Sequence, residues 1–201
     1  MSLQTGVQSV LTAASPAALM SLASLLGASL AQVGVISLGL QLYQVFAVAA
    51  VYAAPLVYDR AARSERRPDG RQLFALLRRR IGLAPMAVGA AAALFGPWLL
   101  AQAWPAVADV APLLTLMAVA GALALGVRLL STLQQARGEF TLLSLQAAAR
   151  LLVGALLTAL LMRVWPATLA VPVAMLAVES LLLAWLLGRL GRAPHEAEAA
   201  G

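Results

Sequence analysis

Several residue types that carry chemistry are absent or scarce in this chain of 201 residues. Cysteine is absent, which excludes disulfides and thiolate metal sites. The single histidine, His195, lies in a polar C-terminal stretch, so we expect a solvated side chain and no histidine-based catalysis or metal binding. The chain also has no phosphate-cradling glycine loop, no zinc motif and no serine beside a base. We therefore predict no enzymatic activity, no metal and no cofactor.

Charge is equally scarce. Only 11% of the residues are charged and 62% are hydrophobic, with a mean hydropathy of +0.89. Soluble domains usually have about 25% charged residues, so most of this surface must face lipid. We predict an all-α integral membrane protein of about six transmembrane helices. They form a single lobe over residues 1–190, with spans at about 7–27, 35–58, 81–102, 111–135, 140–162 and 168–190.

The segment 59–80 holds eight arginines, and no charged residue precedes it. A cationic block between apolar runs is typical of a cytoplasmic loop, which predicts that both termini are cytoplasmic as well. We expect residues 71–80, after the Pro68-Asp69-Gly70 turn, to form a short helix on the membrane surface. Anionic membrane lipids are the expected partners of these arginines, and nucleic acid is not. Residues 191–201 are predicted to be a disordered polar tail.

Away from the span ends, three charged residues lie within predicted spans: Arg128, Arg150 and Glu179. Ionisable residues inside a bilayer are costly and are candidates for a functional site. At 1.5 Å per residue, Arg150 lies about 15 Å from the inner face and Glu179 about 16 Å from the outer face. Both are therefore near the midplane, on adjacent antiparallel helices, where they can meet. Arg128 lies about 25 Å from the outer end of its span and can extend towards the cytoplasm.

Three interpretations of the midplane charges stay open at this point. In the first, Arg150 and Glu179 form an ion pair that only allows the helices to pack. In the second, Arg150, with Arg128, lines a polar cavity and binds an anionic group. In the third, the charges face lipid. Gln41 and Gln44 lie three residues apart and so share one helical face, which we expect to point inward. That face serves either to join helices or to bind a ligand.

Two stretches resemble polysaccharide (O-antigen type) flippases. Residues 30–60 read LAQVGVISLGLQLYQVFAVAAVYAAPLVYDR, in which a Val-Gly precedes a helix that ends near a basic loop. Residues 94–137 contain the span end LFGPWLLAQAW and a long helix that closes on Ser131, Gln135 and Ala136. The similarity extends over about 160 residues with the last helix pair, and it matches about the C-terminal lobe of the family.

The family belongs to the multidrug/oligosaccharidyl-lipid/polysaccharide exporters. The resemblance implies alternating-access movement of an anionic, lipid-linked oligosaccharide or polysaccharide precursor across the bacterial inner membrane. It also implies two lobes around a cavity, so a homodimer or a second transporter lobe is expected. By this resemblance, Arg150 and Arg128 would contact the substrate, and Glu179, Gln41 and Gln44 are further candidates for substrate binding. The alternative is a non-transporting scaffold, an assembly subunit or an inactive flippase fragment.

Overall fold

The computed structural model describes residues 15, 17–65 and 70–199, with the side chains of residues 64, 65, 70, 71 and 191–199 left out. Every regular element in this part of the chain is helical. We name the helices α1 to α6; a 3-10 helix at Pro105–Val110 joins α3 to α4. Their bounds are 17–25 for α1, Leu30–Glu65 for α2, Gly70–Ala103 for α3, Ala111–Ala136 for α4, Phe140–Leu161 for α5 and Ala167–Ala199 for α6.

Five of these helices, α2 to α6, are long and apolar enough to cross a membrane. This confirms the prediction of an all-helical, multi-span fold. Of the first predicted span, residues 7–14 and Pro16 lie outside the described residues, and α1 is its described part.

The chain turns into α2 earlier than predicted. The predicted second span begins at about residue 35, but α2 already begins at Leu30. The cause is a reciprocal pair of hydrogen bonds. The backbone N–H of Gln32 donates to Ser29 Oγ at 3.3 Å, and the backbone N–H of Ser29 donates to Gln32 Oε1 at 3.0 Å. A serine followed three residues later by glutamine is a capping box, which starts a helix.

The Arg-rich segment is more helical than expected. α2 continues to Glu65, and α3 begins at Gly70 and runs unbroken to Ala103, so no separate surface helix exists at 71–80. The remaining part of the predicted turn, Pro68-Asp69, lies outside the described residues. Arginine, leucine and alanine all favour helix, which explains the continuity. With 36 and 34 residues, α2 and α3 are about 54 and 51 Å long, well beyond a hydrocarbon core of about 30 Å.

The last helix also extends further than its predicted span. α6 is helical to Ala199, across most of the stretch that we expected to be disordered. Its final residues are rich in alanine and glutamate, which are strong helix formers.

α4 lies at the centre of the bundle and packs against α2, α3 and α6. Its small residues allow close approach: a Cβ added at Gly121 would lie 3.0 Å from the Tyr43 Cα of α2. Such small-residue contacts are how helices pack in lipid, where no hydrophobic force drives them together. Two buried apolar clusters flank this crossing. One includes Ile36, Leu40, Met117, Val171 and Met175, and the other includes Phe74, Leu130, Leu133 and Leu186.

The Arg-rich ends of α2 and α3 lie at the same end of the bundle as the turn between α4 and α5. The Arg137 guanidinium of that turn stacks over the Phe74 ring at 3.8 Å. The next residue but one, Glu139, has its Oε2 3.9 Å from Arg189 Nε. Arg137 and Arg189 thus lie at the same end as the Arg-rich segment, as expected when successive helices cross the membrane in opposite directions. The orientation of this end in the membrane stays a prediction.

Candidate functional site

Arg150 of α5 and Glu179 of α6 form a buried ion pair. Arg150 Nη2 donates to Glu179 Oε2 at 2.8 Å, and the two side chains are 11% and 2% exposed. Their depths in the spans allowed this contact as one of three open interpretations, and the structure shows it. A charge-assisted bond of this length is strong, and removing either partner would leave the other charge buried and unpaired.

Tyr43 of α2 adds a third helix to this pair. Its hydroxyl donates to Glu179 Oε1 at 2.7 Å, and the residue is only 3% exposed. Tyr43 lies on the buried face of α2 that Ile36 and Leu40 also form. Both carboxylate oxygens of Glu179 are thus occupied, one by each neighbouring helix. We call Tyr43, Arg150 and Glu179 the midplane cluster; it joins α2, α5 and α6 through one carboxylate.

The space around the midplane cluster is small. A cavity of about 20 Å³ adjoins it, which is room for about one water molecule. Arg150 Nε is buried and has no hydrogen-bond partner among the described residues, so it can donate to a further acceptor. Unsatisfied buried donors are rare, and on a charged group they indicate a capacity to bind a further acceptor. The cavity is lined by the cluster together with Ser15, Leu19, Met175 and Val178.

A second polar cluster lies one turn away on α5. Gln146, four residues before Arg150, accepts from Ser131 Oγ at 2.9 Å and donates from Nε2 to Gln134 Oε1. Gln134 is fully buried, and its own Nε2 has no partner. We call Ser131, Gln134 and Gln146 the amide cluster. It was not predicted, although a glutamine one turn from a charged residue within an apolar span is a usable signal.

Arg128 lies on α4, three residues before Ser131, and is half-buried. Its Nε is buried without a hydrogen-bond partner. Among the described residues, no hydrogen bond or ion pair joins Arg128 to Arg150 or Glu179. The structure therefore pairs Glu179 with both Arg150 and Tyr43, and it leaves Arg128 near the amide cluster as a separate cation.

Gln41 and Gln44 do not point inward, so this prediction is wrong. Both are exposed on the surface of the chain, whereas Tyr43 between them is buried. A tyrosine whose hydroxyl has an acceptor brings a large apolar ring into the core, while a buried glutamine amide needs several partners. α2 is therefore rotated about its axis so that Tyr43 faces the core. The glutamines then start an exposed stripe that continues through Val45, Val48 and Tyr52.

Comparison with known proteins adds no relative. No family model, curated protein or solved structure matches this chain. The flippase resemblance therefore stays a prediction. The side chain of His195 lies outside the described part, and the remaining candidate residues are those of the midplane cluster, the amide cluster and Arg128.

Proposed function

We propose that this chain is one lobe of a flippase-like transporter that moves an anionic, lipid-linked oligosaccharide or polysaccharide precursor. The observation that carries the proposal is the midplane cluster. An arginine and a glutamate near the middle of a membrane bundle are costly, and such residues mark substrate or ion paths. The flippase resemblance supplies the class of substrate.

In the proposed mechanism, the substrate diphosphate competes with Glu179 for Arg150. The guanidinium fork suits phosphate oxygens, and Arg150 Nε is a buried donor that has no hydrogen-bond partner in the present state. Displacing the Glu179 carboxylate loosens the connection among α2, α5 and α6. A ligand can shift a conformational equilibrium only by its differential affinity, and here that difference comes from the contact that replaces the ion pair.

The polar residues are unevenly distributed along the bundle, and this suggests the direction of entry. Gln146 lies about 9 Å from the start of α5, and Arg128 about 12 Å from the end of α4, at 1.5 Å per residue. Both lie between the midplane cluster and the Arg-rich end. We infer that the diphosphate enters from that end, which faces the cytoplasm of a bacterial inner membrane in the proposed orientation.

The exposed stripe of α2 supports a second lobe. Gln41 and Gln44 lie about 17 and 21 Å along α2 from Leu30, so their amides lie at membrane depth. Amides that face hydrocarbon without partners are unfavourable, while interhelical amide bonds join helices in lipid. We propose that this stripe, beginning at Gln41, contacts a second copy or another transporter lobe.

The test is transport of a fluorescent polyprenyl-diphosphate-linked sugar across vesicles that contain the purified chain with any lobe that copurifies. We expect Arg150→Gln to slow movement between leaflets by about 10- to 100-fold, the loss of one charged hydrogen bond. Arg163→Gln is the matched control, because Arg163 is exposed after the end of α5. Normal transport by a folded Arg150→Gln protein would refute the proposal.

A non-transporting scaffold is the second candidate, and one observation favours it. Arg150 already has a carboxylate partner, and the adjoining cavity holds about one water. The double variant Arg150→Leu with Glu179→Leu separates the two functions, because both charges leave together. A transporter would stay folded and lose transport, whereas a scaffold would stay folded and support glycan export in cells as before.

A further inference from the structure

A large groove lies at the Arg-rich end, well separated in sequence from the midplane cluster. It has a volume of about 650 Å³ and is formed by α2, α3 and α4. This lies within the range of ligand clefts, about 300–1,000 Å³. Its charged lining residues are all arginines, Arg60 and Arg63 from α2 and Arg80 from α3.

The arginines give this groove a net positive charge. Arg63 is bound by Asp59, one turn earlier, through Nη2 and Oδ2 at 2.9 Å. Arg60 and Arg80 have no ion-pair partner among the described residues. Arg60 and Arg63 are three residues apart, so they share one face of α2. Two guanidinium groups without an ion-pair partner, one on α2 and one on α3, therefore line the same groove, and this arrangement favours a phosphate between them.

The rest of the groove is apolar and long. On α3 it extends from Leu73 to Val88, a rise of about 22 Å at 1.5 Å per residue, and α4 contributes Leu125 and Leu129. One leaflet of hydrocarbon is about 15 Å deep, half of a core of about 30 Å. Leu76, on this wall, is 53% exposed, so apolar surface is available to an acyl chain.

We propose that this groove binds one anionic phospholipid of the adjacent leaflet, with its phosphate on Arg60 and Arg80 and an acyl chain along α3. Charge complementarity selects the headgroup, since basic residues near the membrane surface attract anionic lipids. The apolar wall selects a lipid over a soluble phosphate. This site goes beyond the proposed transport function and shares no residue with it.

The test is native mass spectrometry of the full chain in detergent, titrated with dioleoylphosphatidylglycerol. We expect one lipid to be retained preferentially over dioleoylphosphatidylcholine. The double variant Arg60→Gln with Arg80→Gln should weaken this binding by about 30-fold. Each arginine near the membrane surface contributes about 1 kcal/mol of binding free energy, and about 1.4 kcal/mol corresponds to a factor of ten in affinity. The matched control is Arg78→Gln with Arg79→Gln, which removes the same charge from α3 but lies outside this groove.

Two further measurements separate the headgroup from the chain. Ala84, which is exposed and lines the groove, can be changed to tryptophan; Ala84→Trp fills the groove without altering charge and should also weaken lipid binding. Glycerol phosphate, the soluble headgroup alone, should not compete at the concentration that saturates the lipid site. Equal losses in the two arginine pairs would indicate general charge attraction and overturn the proposal. Full binding in Ala84→Trp, or competition by glycerol phosphate, would overturn the lipid assignment.

Discussion

Replacing Glu179 by leucine removes the acceptor of two helices at once. Arg150 then stays buried without its counter-charge, which costs about 3–5 kcal/mol of unfolding free energy. The Tyr43 hydroxyl loses its acceptor as well, which costs about another 1–3 kcal/mol. Glu179→Leu should therefore be the most damaging single change in the midplane cluster. Arg150→Leu should cost about 3–5 kcal/mol, because Glu179 keeps the Tyr43 contact.

The double variant Arg150→Leu with Glu179→Leu should be milder than either single change. Both charges are gone, and only the Tyr43 hydroxyl stays unsatisfied, at about 1–3 kcal/mol. Adding Tyr43→Phe should restore stability to within about 1 kcal/mol of the unchanged chain, because no buried polar group is then left without a partner. This order, single changes worst and triple change near neutral, follows from the shared carboxylate.

The assay is unfolding in mixed micelles as the denaturing detergent fraction rises, followed by tryptophan fluorescence, for all four variants. The difference between the double variant and the sum of the single variants gives the coupling energy directly. A double variant as unstable as the sum of its single changes would show that Arg150 and Glu179 do not act as a pair.

The topology and the helix packing give two further predictions. Because the chain has no cysteine, Ser64→Cys introduces a single thiol. We expect a membrane-impermeant thiol reagent to label this cysteine only after the cells are permeabilised. The cysteine of Ala106→Cys, at the opposite end of the bundle, should be labelled in intact cells. Labelling of Ser64→Cys in intact cells would contradict a cytoplasmic Arg-rich end. Gly121→Val should destabilise the chain by about 1–3 kcal/mol, because its new Cβ would lie 3.0 Å from the Tyr43 Cα. The control is Gly188→Ala, where nothing lies within 4 Å of the added Cβ; its unfolding midpoint should be unchanged or higher. Equal losses of stability in the two variants would contradict the close crossing of α4 and α2.

The fold class and the common depth of the two central charges could be predicted because they depend on composition and residue counts alone. Long apolar runs require helices that satisfy their own backbone in lipid. Residue counts along two antiparallel spans were enough to put Arg150 and Glu179 at a similar depth, where they can meet. The rotation of a helix about its axis is harder to predict when all its faces are apolar. α2 shows this, since Gln41 and Gln44 were assigned inward while Tyr43 occupies that position.

Tyr43 and the amide cluster were missed for the same reason. Their partners lie on other helices, so spacing along one helix does not reveal them. A signal exists for Tyr43, because a buried tyrosine hydroxyl usually needs a partner and Glu179 has two acceptor oxygens. The extent of helix in the described parts of the Arg-rich segment, 59–65 and 70–80, was also underestimated. Charge indicated exposure there, but arginine and leucine favour helix whether or not lipid surrounds them.

The central claim is that this chain works together with a second lobe, and crosslinking in the membrane tests that claim most directly. Amine crosslinkers have little to react with because lysine is absent, so a cysteine-linked photocrosslinker is placed by Gln44→Cys and activated in the membrane. Leu152→Cys, on the exposed face of α5 at 68% exposure, is the control. We expect the Gln44 position to give a defined product with the mass of two copies, or of this chain with another multi-span protein, and the control to give little. A monomer crosslinked only to lipid at both positions would contradict a transporter assembled from two lobes.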